Sequence, residues 1–358
     1  MSAKHNRRDR KSPTTAGNKG GQAAATPEPT LVNPQTTTLS LPDVTATLQE
    51  IEAKLDSKMI AYYLHEGAQI NDDAMVPLYK QLQAIGKQKR LNLFIHSRGG
   101  ATETPWKIIE MFRNFCEYFA VLVAYRAHSA ATHIALGANE IVMTAFAELG
   151  PVDPYRTHPL LPIGPDDKPV SISVQDMKHC ISFIKREAET PYTPEALAQL
   201  FAAMFEKIHP LAMGAIEQSY ALSQIISEKA LATHMDAERD KEKIHKIAQT
   251  LLDDYKSHRF QIGRSEARKL GLPVVDADPE MENLLWRLYE LYSQSETTPP
   301  APVPNARGRF HKIVGHIDSV VKRFAHVGLF EEEKPGLLKP VGGAWEEISL
   351  PNQSGKAT

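Results

Sequence analysis

Cysteine is scarce in this chain: Cys116 and Cys180 are the only two, which excludes a disulfide framework. We therefore expect a reducing compartment and a cytoplasmic location. Long hydrophobic runs are also missing, because no stretch reaches the roughly eighteen apolar residues of a membrane-spanning helix. The N-terminus lacks the apolar core of a signal peptide, so we expect neither a transmembrane segment nor secretion by the usual route.

Excess charge of one sign is absent as well. The formal net charge is -2, with 42% hydrophobic and 23% charged residues, as in an ordinary globular protein. A nearly neutral chain gives no reason to expect a nucleic-acid partner. The sequence also has no P-loop, no Gly-x-Gly-x-x-Gly motif and no group of His, Cys, Asp and Glu with metal-ligand spacing. We expect neither a cofactor nor a metal.

Composition divides the chain into three predicted regions. Residues 1–40 are rich in Lys, Arg, Thr, Pro and Ala and nearly free of large apolar side chains, so we predict a disordered basic tail. Residues 41–292 alternate helix and strand patterns and form the predicted main domain. Residues 293–358 begin with a Pro-rich linker, continue with a basic amphipathic segment and form a C-terminal extension of unknown role.

The main domain contains several short apolar strand patterns separated by helical ones. KMIAYYL (58–64), NLFIHS (92–97) and FAVLVAY (119–125) are the clearest of these strands. Strands that are apolar almost throughout and alternate with helices indicate a parallel sheet that is covered on both faces. After Pro154 the pattern becomes mainly helical. The sequence therefore predicts an α/β fold with a helical elaboration.

One stretch of this domain has the order of elements that acyl-transfer chemistry requires. The strand at 92–97 is followed by Gly99 and Gly100. The strand at 119–125 leads to Ser129, which precedes the small-residue helix pattern AATHIALGA. Glycines let backbone N–H groups turn toward a ligand. We predict Ser129 as the nucleophile, with an oxyanion site formed by the amides of Gly99, Gly100 and Ala130.

These residues also carry a family resemblance. HSRGG, AHSAATHIALGANEIVM and ELGPVDPY, in this order, resemble the serine dehydrogenase proteinase family. That family belongs with the Clp proteolytic subunit and the SppA-type signal peptide peptidases in the Clp/crotonase fold. The resemblance covers about residues 45–292. It implies a Clp/crotonase-type parallel sheet with helices on both faces and a mainly helical elaboration.

The resemblance also suggests the partners of Ser129. KSHRFQIGRSEARKLGLPVV (256–275) is similar to the segment in which the Clp subunit carries the acid of its triad, and LGPVDP lies where that subunit has its histidine. This chain has His258 in the first segment and Asp153 in the second. We therefore expect an exchanged pair, with His258 as the base and Asp153 as its orienting carboxylate. A triad is defined by geometry and role, so the exchange is chemically permissible.

Other residues stay open as candidates. His96 is expected to line the site or to serve as the base, and Lys178 is the base if the chain follows the SppA-type pattern. His128 and His133 are expected to pack or cap. Arg98 stands where relatives often have proline, and it either binds a substrate carboxylate or faces solvent.

Together these features predict a serine peptidase that cleaves peptides or proteins through an acyl-enzyme on Ser129. Two alternatives are a crotonase-like enzyme that processes thioesters and a non-catalytic scaffold that retains the fold. The long apolar stripes after about residue 175, such as HPLAMGAIEQSYALSQII, also predict a homo-oligomer assembled through the helical region.

Overall fold

A computed structural model describes residues 41–165, 167–187, 193–304 and 306–348. These residues fall within one compact unit, 38–358. The predicted disordered tail, 1–40, lies outside the described residues. The described residues form ten α-helices: α1 (Thr45–Leu55), α2 (Met75–Ile85), α3 (Thr104–Arg113), α4 (Ala130–Leu136), α5 (Val174–Glu187), α6 (Pro194–Lys207), α7 (Pro210–Ala232), α8 (Lys241–Asp253), α9 (Arg264–Lys269) and α10 (Pro279–Glu296).

The strands of the described residues assemble into one large sheet and two small ones. They are β1 (Lys58–Leu64), β2 (Gln88–His96), β3 (Cys116–Val123), β4 (Arg126–Ala127), β5 (Glu140–Met143), β6 (Glu148–Leu149), β7 (Tyr155–Thr157), β8 (Ser171–Ser173), β9 (Ile262–Gly263), β10 (Val274–Asp276), β11 (Ala301–Pro302), β12 (Arg309–Asp318), β13 (Arg323–Lys334) and β14 (Leu337–Ile348).

The large sheet has a parallel half and an antiparallel half. Its strand order is β10-β5-β3-β2-β1-β12-β13-β14, with β11 paired to β12. The strands from β10 to β1 are parallel, which confirms the predicted α/β fold. β12 pairs antiparallel with β1, and β13 and β14 continue in antiparallel pairs. The edge of β1 is therefore covered by the chain's own C-terminal region.

This antiparallel half comes from the segment predicted as a C-terminal extension. Its basic amphipathic part forms β12 and β13 of the central sheet, a role that the sequence did not reveal. Helix α10 also continues to Glu296, past the boundary expected at residue 292. The division into domains at that point stays a prediction.

Alternation along β1 distributes side chains to two core layers. Ile60, Tyr62 and Leu64 belong to the layer that contains residues of α2, α3, α4 and α7. Met59, Ala61 and Tyr63 belong to the layer formed with α1 and α10. Successive strand residues point to opposite faces, so a strand that is apolar throughout needs cover on both sides. The predicted helical cover of both faces is confirmed.

The helical elaboration follows the parallel core. It comprises α5 to α8, from Val174 to Asp253, and is preceded by the β7–β8 hairpin. Helix α7 begins with Pro210 in its first turn, and the ring of His209 accepts a hydrogen bond from the Leu211 amide. Among the helices that the structure describes, none is long and apolar enough to cross a bilayer.

Three buried histidines lie around Tyr63 on one face of the sheet. The His96 ring stacks on Tyr63 at 4.6 Å, and His65 and His316 lie at 5.8 and 6.5 Å from the same ring. The Ser295 hydroxyl lies within hydrogen-bond distance of both His65 Nε2 and His316 Nε2. Burial, helped by the charge of Arg126, lowers the pKa of His96 to about 3. Burial also lowers the pKa of His65 to about 4.

We expect folding stability to fall as the pH decreases from about 6.5 toward 3. The pKa of His96 is depressed in the folded chain, so the unfolded chain binds the proton first and gains from acidification. His96→Phe should therefore make the free energy of unfolding less dependent on pH. Its slope against pH should decrease by about 1.4 kcal/mol per pH unit, which corresponds to one proton. Thermal unfolding across this pH range measures it. Trp286→Phe, in the same aromatic cluster, is the control because it removes no titrating group. An unchanged slope in His96→Phe would contradict the prediction.

Candidate active site

The glycine pair follows the end of β2 and lies beside the strand that leads to Ser129. The Ser97 amide donates to the Arg126 carbonyl at 3.1 Å, and the His128 amide donates to the Ser97 carbonyl at 3.0 Å. Gly99 has a φ of 116°, a conformation that side-chain-bearing residues rarely adopt. A Cβ at Gly99 would lie 2.6 Å from Ser129 Cβ. The two predicted elements of the site are therefore in contact through a position that requires glycine.

Gly100 is held in a short parallel bridge to Ile70. The Ile70 amide donates to the Gly99 carbonyl, and the Ala101 amide donates to the Ile70 carbonyl, each at 2.8 Å. This pattern uses the groups on either side of Gly100 and directs its own N–H away from Ile70. A Cβ at Gly100 would lie 2.1 Å from the Ile70 carbonyl oxygen. The close backbone approach explains why glycine stands here.

Ser129 has an unusual backbone conformation. Its φ is 51° and its ψ is -113°, and it immediately precedes α4. A non-glycine residue in this region is strained, and a sharp strand-to-helix turn of this kind exposes the serine in known nucleophile elbows. The hydroxyl makes no capping hydrogen bond to α4, and the residue is half-buried. Ser129 therefore does not act as an ordinary side-chain cap, and its hydroxyl is available for chemistry.

The predicted oxyanion donors differ in availability. The Gly99 amide donates to Ser97 Oγ at 3.0 Å, so the structure removes it from the predicted set. Within the described residues, no hydrogen bond is recorded for the amides of Gly100 and Ala130. Both residues lie on the wall of the cavity that contains Ser129. Two donors thus remain.

His258 and Asp153 are in contact, as the exchanged pair requires. His258 Nδ1 lies 2.9 Å from Asp153 Oδ1, although the two residues are 105 positions apart. The Asp153 side chain is 7% exposed and that of His258 is 29% exposed. A buried carboxylate can only accept, so Nδ1 carries the proton and donates. The Tyr155 ring packs against the imidazole in a T-shaped arrangement, with 5.2 Å between the ring centroids.

The imidazole lies between the carboxylate and the serine cavity. Ser129, Gly100, Ala130 and His258 all line one cavity of about 310 Å³. Asp153 does not line it, but shares a smaller cavity behind His258. Since Nδ1 is turned to Asp153, Nε2 is the ring nitrogen left for the Ser129 side. The three predicted catalytic residues are therefore brought to one place.

The alternative histidine bases are occupied elsewhere or electrostatically unsuited. His96 does not belong to the described lining of the serine cavity and is stacked among tyrosines. His128 Nε2 lies 3.1 Å from Glu148 Oε1, yet burial lowers the pKa of His128 to about 4, so the ring is neutral at pH 7. His133 lines the cavity, but its Nε2 faces the Ser223 carbonyl at 3.2 Å.

Lys178 and Arg98 also have partners. Lys178 Nζ donates to Asp253 at 2.9 Å and to the Tyr220 hydroxyl at 3.1 Å. Although burial opposes it, these bonds raise the pKa of Lys178, which is the wrong direction for a base. Arg98 lines the cavity, and its Nε donates to Glu66 at 2.7 Å on the exposed rim.

Two contributors to the site were not predicted from the sequence. Ile70 supplies the backbone edge that fixes the glycine loop, and no local signal marks it. Tyr155 packs on His258 and lies two residues after Asp153, so the VDPY motif carried a hint of it.

Comparison with known proteins gives a family match over part of this chain. Residues 46–162 match the family model of ClpP-like SDH-type serine proteinases. The resemblance inferred from the sequence is confirmed. The SDH-type match includes Gly99, Gly100, Ser129 and Asp153 and ends before His258.

Individual relatives are distant. An uncharacterized protein of Methanocaldococcus jannaschii is 24% identical over 217 residues, which cover 61% of this chain and 63% of that protein. The chain thus spans less than two thirds of this relative's length. A mutant of the 1510-N membrane-bound stomatin-specific protease matches with a TM-score of 0.35 at 15% identity, covering 69% of this chain and 89% of that one. A ClpP1 mutant from Listeria monocytogenes gives 0.34 at 16% identity, covering 65% and 99%. Scores this low carry no argument about the site.

We expect Gly100→Ala to lower the folding midpoint because the new Cβ meets the Ile70 backbone. Overpacking of this kind costs about 1–3 kcal/mol. Gly214→Ala, in helix α7 with open space around it, is the matched control and should be neutral or slightly stabilising. Chemical denaturation of both variants measures the difference. Equal midpoints for the two variants would show that the close approach at Gly100 is unimportant.

Proposed function

We propose that this protein is a serine peptidase in which Ser129 is the nucleophile, His258 the general base and Asp153 the residue that orients His258. The observation that carries the proposal is the 2.9 Å contact between His258 Nδ1 and Asp153, with His258 on the wall of the Ser129 cavity. Membership of residues 46–162 in a serine proteinase family supports it independently.

In the first half of the proposed reaction, Ser129 Oγ attacks the carbonyl carbon of a peptide bond while its proton passes to His258 Nε2. The carbonyl oxygen becomes negative and is stabilised by the amides of Gly100 and Ala130. Asp153 keeps the Nδ1–H bond and stabilises the imidazolium. The C–N bond then breaks, and the leaving amine takes the proton from Nε2.

The second half releases the acyl group from Ser129. A water molecule loses a proton to His258 Nε2 and attacks the ester carbon, and the same two amides hold the oxyanion. Collapse returns the proton to Ser129 Oγ and frees the carboxylic acid. One imidazole therefore serves both halves of the reaction.

The geometry favours a hydrolase over the two alternatives. A thioester-processing enzyme of the crotonase type would use the oxyanion amides but would need neither a strained serine nor a His–Asp pair. A non-catalytic scaffold would need neither the oxyanion amides nor the strained serine nor the His–Asp pair. The strained φ of 51° at Ser129 and the buried partner of His258 are each accounted for by a serine hydrolase and by neither alternative.

We expect Ser129→Ala to abolish peptidase activity and covalent labelling by a fluorophosphonate probe. The free energy of unfolding should change by less than about 1 kcal/mol, because no capping hydrogen bond is lost. Mass spectrometry of the labelled wild type should place the adduct on Ser129. His258→Ala should lower the labelling rate about a hundredfold or more.

Ser257→Ala is the matched serine control, since Ser257 is exposed beside His258 and, within the part of the chain that the structure describes, its side chain accepts from the Arg259 amide alone. It should label like the wild type. Wild-type protein that folds but never reacts, or an adduct on another serine, would contradict the proposed mechanism.

The helical elaboration supports self-association. Among the fourteen described residues of α6, none is buried, although the helix carries Phe201 and Phe205. These rings are 39% and 45% exposed, and Phe183 on α5 is 55% exposed. A soluble monomer rarely leaves an apolar helix uncovered. We infer that copies of this chain cover it by associating into a homo-oligomer.

Light scattering should accordingly give the wild type a mass that is a multiple of 39.8 kDa. Substituting Phe201→Glu and Phe205→Glu together should shift the mass toward one chain, because burying carboxylates at an interface is costly. Phe146→Glu is the control, because Phe146 is 59% exposed and lies outside the helical region. A wild-type mass of one chain that is independent of concentration would rule out the oligomer.

A further inference from the structure

Ser223 occupies a buried position between two parts of the candidate site. It lies on α7 and has no exposed surface. Its hydroxyl is 2.6 Å from the Val152 carbonyl oxygen and 3.1 Å from His133 Nε2. Its own carbonyl oxygen lies 3.2 Å from the same His133 nitrogen. One residue of the helical elaboration therefore contacts the segment of Asp153 and the helix that follows Ser129.

The direction of these hydrogen bonds follows from the chemistry of the groups. The Val152 carbonyl only accepts, so the single hydroxyl proton of Ser223 is donated to it. His133 Nε2 faces a carbonyl and an oxygen whose proton is already used, so Nε2 carries a proton and donates. Burial lowers the pKa of His133 to about 4, which keeps the ring neutral. The Ser223 hydroxyl and His133 Nε2 thus each donate to one carbonyl oxygen.

The network holds Val152 on both of its polar groups. The Val152 amide donates to the Leu251 carbonyl at 3.1 Å, near the end of α8, and the chain after α8 leads to His258. The Val152 carbonyl accepts from Ser223. Asp153 follows directly, so its carboxylate is placed by a residue that α7 and α8 both fix. His133 lies in α4, one turn after Ser129. Through His133, α7 therefore also contacts the helix that follows the nucleophile.

We propose that Ser223 is a positioning residue that holds Asp153 and the Ser129 helix in register through Val152 and His133. The inference rests on the proposed function, because this alignment affects catalysis only if Ser129, His258 and Asp153 act together. Ser223 is not a second nucleophile, because it is fully buried and its proton is donated to a carbonyl. It acts on the reaction only indirectly, through the placement of Asp153 and of the helix that follows Ser129.

The tautomer of His258 reports this positioning without any need for turnover. A carboxylate on Nδ1 selects the Nδ1–H form and leaves Nε2 bare, as a base requires. We would measure the 15N shifts of the His258 ring in histidine-labelled full-length protein, at a pH where the ring is neutral, and assign them with His258→Gln. The wild type should be in the Nδ1–H form.

Ser223→Ala should move His258 toward a mixture of tautomers and slow fluorophosphonate labelling of Ser129 about tenfold or more, because small misplacements of reacting groups have large effects on rate. Ser219→Ala is the matched control, as it deletes a buried hydroxyl of α7 that donates to the Ala215 carbonyl within the helix and accepts only a 3.3 Å hydrogen bond from the Arg156 side chain outside it, among the described residues. It should preserve both the tautomer and the labelling rate.

The outcomes separate this inference from the proposed function. If Ser223→Ala matches Ser219→Ala in both tautomer and labelling, or loses labelling with the tautomer unchanged, Ser223 does not position Asp153. If the tautomer changes in Ser223→Ala while even the wild type fails to label, the positioning role is upheld and the peptidase mechanism is wrong.

Discussion

The hydrogen bond between Asp153 and His258 is the interaction on which the candidate site depends. It joins segments 105 residues apart, and each segment is fixed by a different part of the fold. Asp153 follows Val152, which is bonded to α7 and α8, and His258 follows the end of α8. A buried carboxylate is stable only if it is paired and hydrogen-bonded, so the helical elaboration and the parallel core must dock correctly before the pair can form.

A second constraint is the strain stored at Ser129. A non-glycine residue with this backbone costs about 1–3 kcal/mol and persists only where its surroundings enforce it. Every residue of α4 is buried, so this short helix is fixed by its packing. The glycine loop also lies against Ser129, so close that a Cβ at position 99 would clash with the Ser129 side chain. The packing of α4 and the glycine loop thus hold the serine in a conformation that exposes its hydroxyl to the cavity.

Local patterns were enough to predict the parallel half of the sheet, because apolar strands that alternate with helices carry that information. The position of Ser129 beside the glycine pair was expected from the order of strand, glycines and serine, whereas the pairing of His258 with Asp153 was expected only from the family resemblance. Features that depend on distant partners were not accessible. β12 pairs with β1 across roughly 250 positions, so its sequence read only as a basic amphipathic segment. The Gly99 amide is occupied by Ser97 Oγ, which a motif cannot reveal. Ser223 looked like one of several small residues on a long helix until the fold placed Val152 and His133 beside it.

Electrostatics narrows the choice of base. The proton that leaves Ser129 needs an acceptor that is effective near neutral pH, and a weakly basic imidazole is a poor acceptor. Burial lowers the pKa of His96 to about 3 and those of His128 and His133 to about 4. Their rings are neutral at pH 7 but hold a proton too weakly to drive the attack. His258 differs from them in being partly exposed and in facing the Asp153 carboxylate with Nδ1. The burial that depresses the pKa values of these three histidines therefore supports the proposal that His258 is the base.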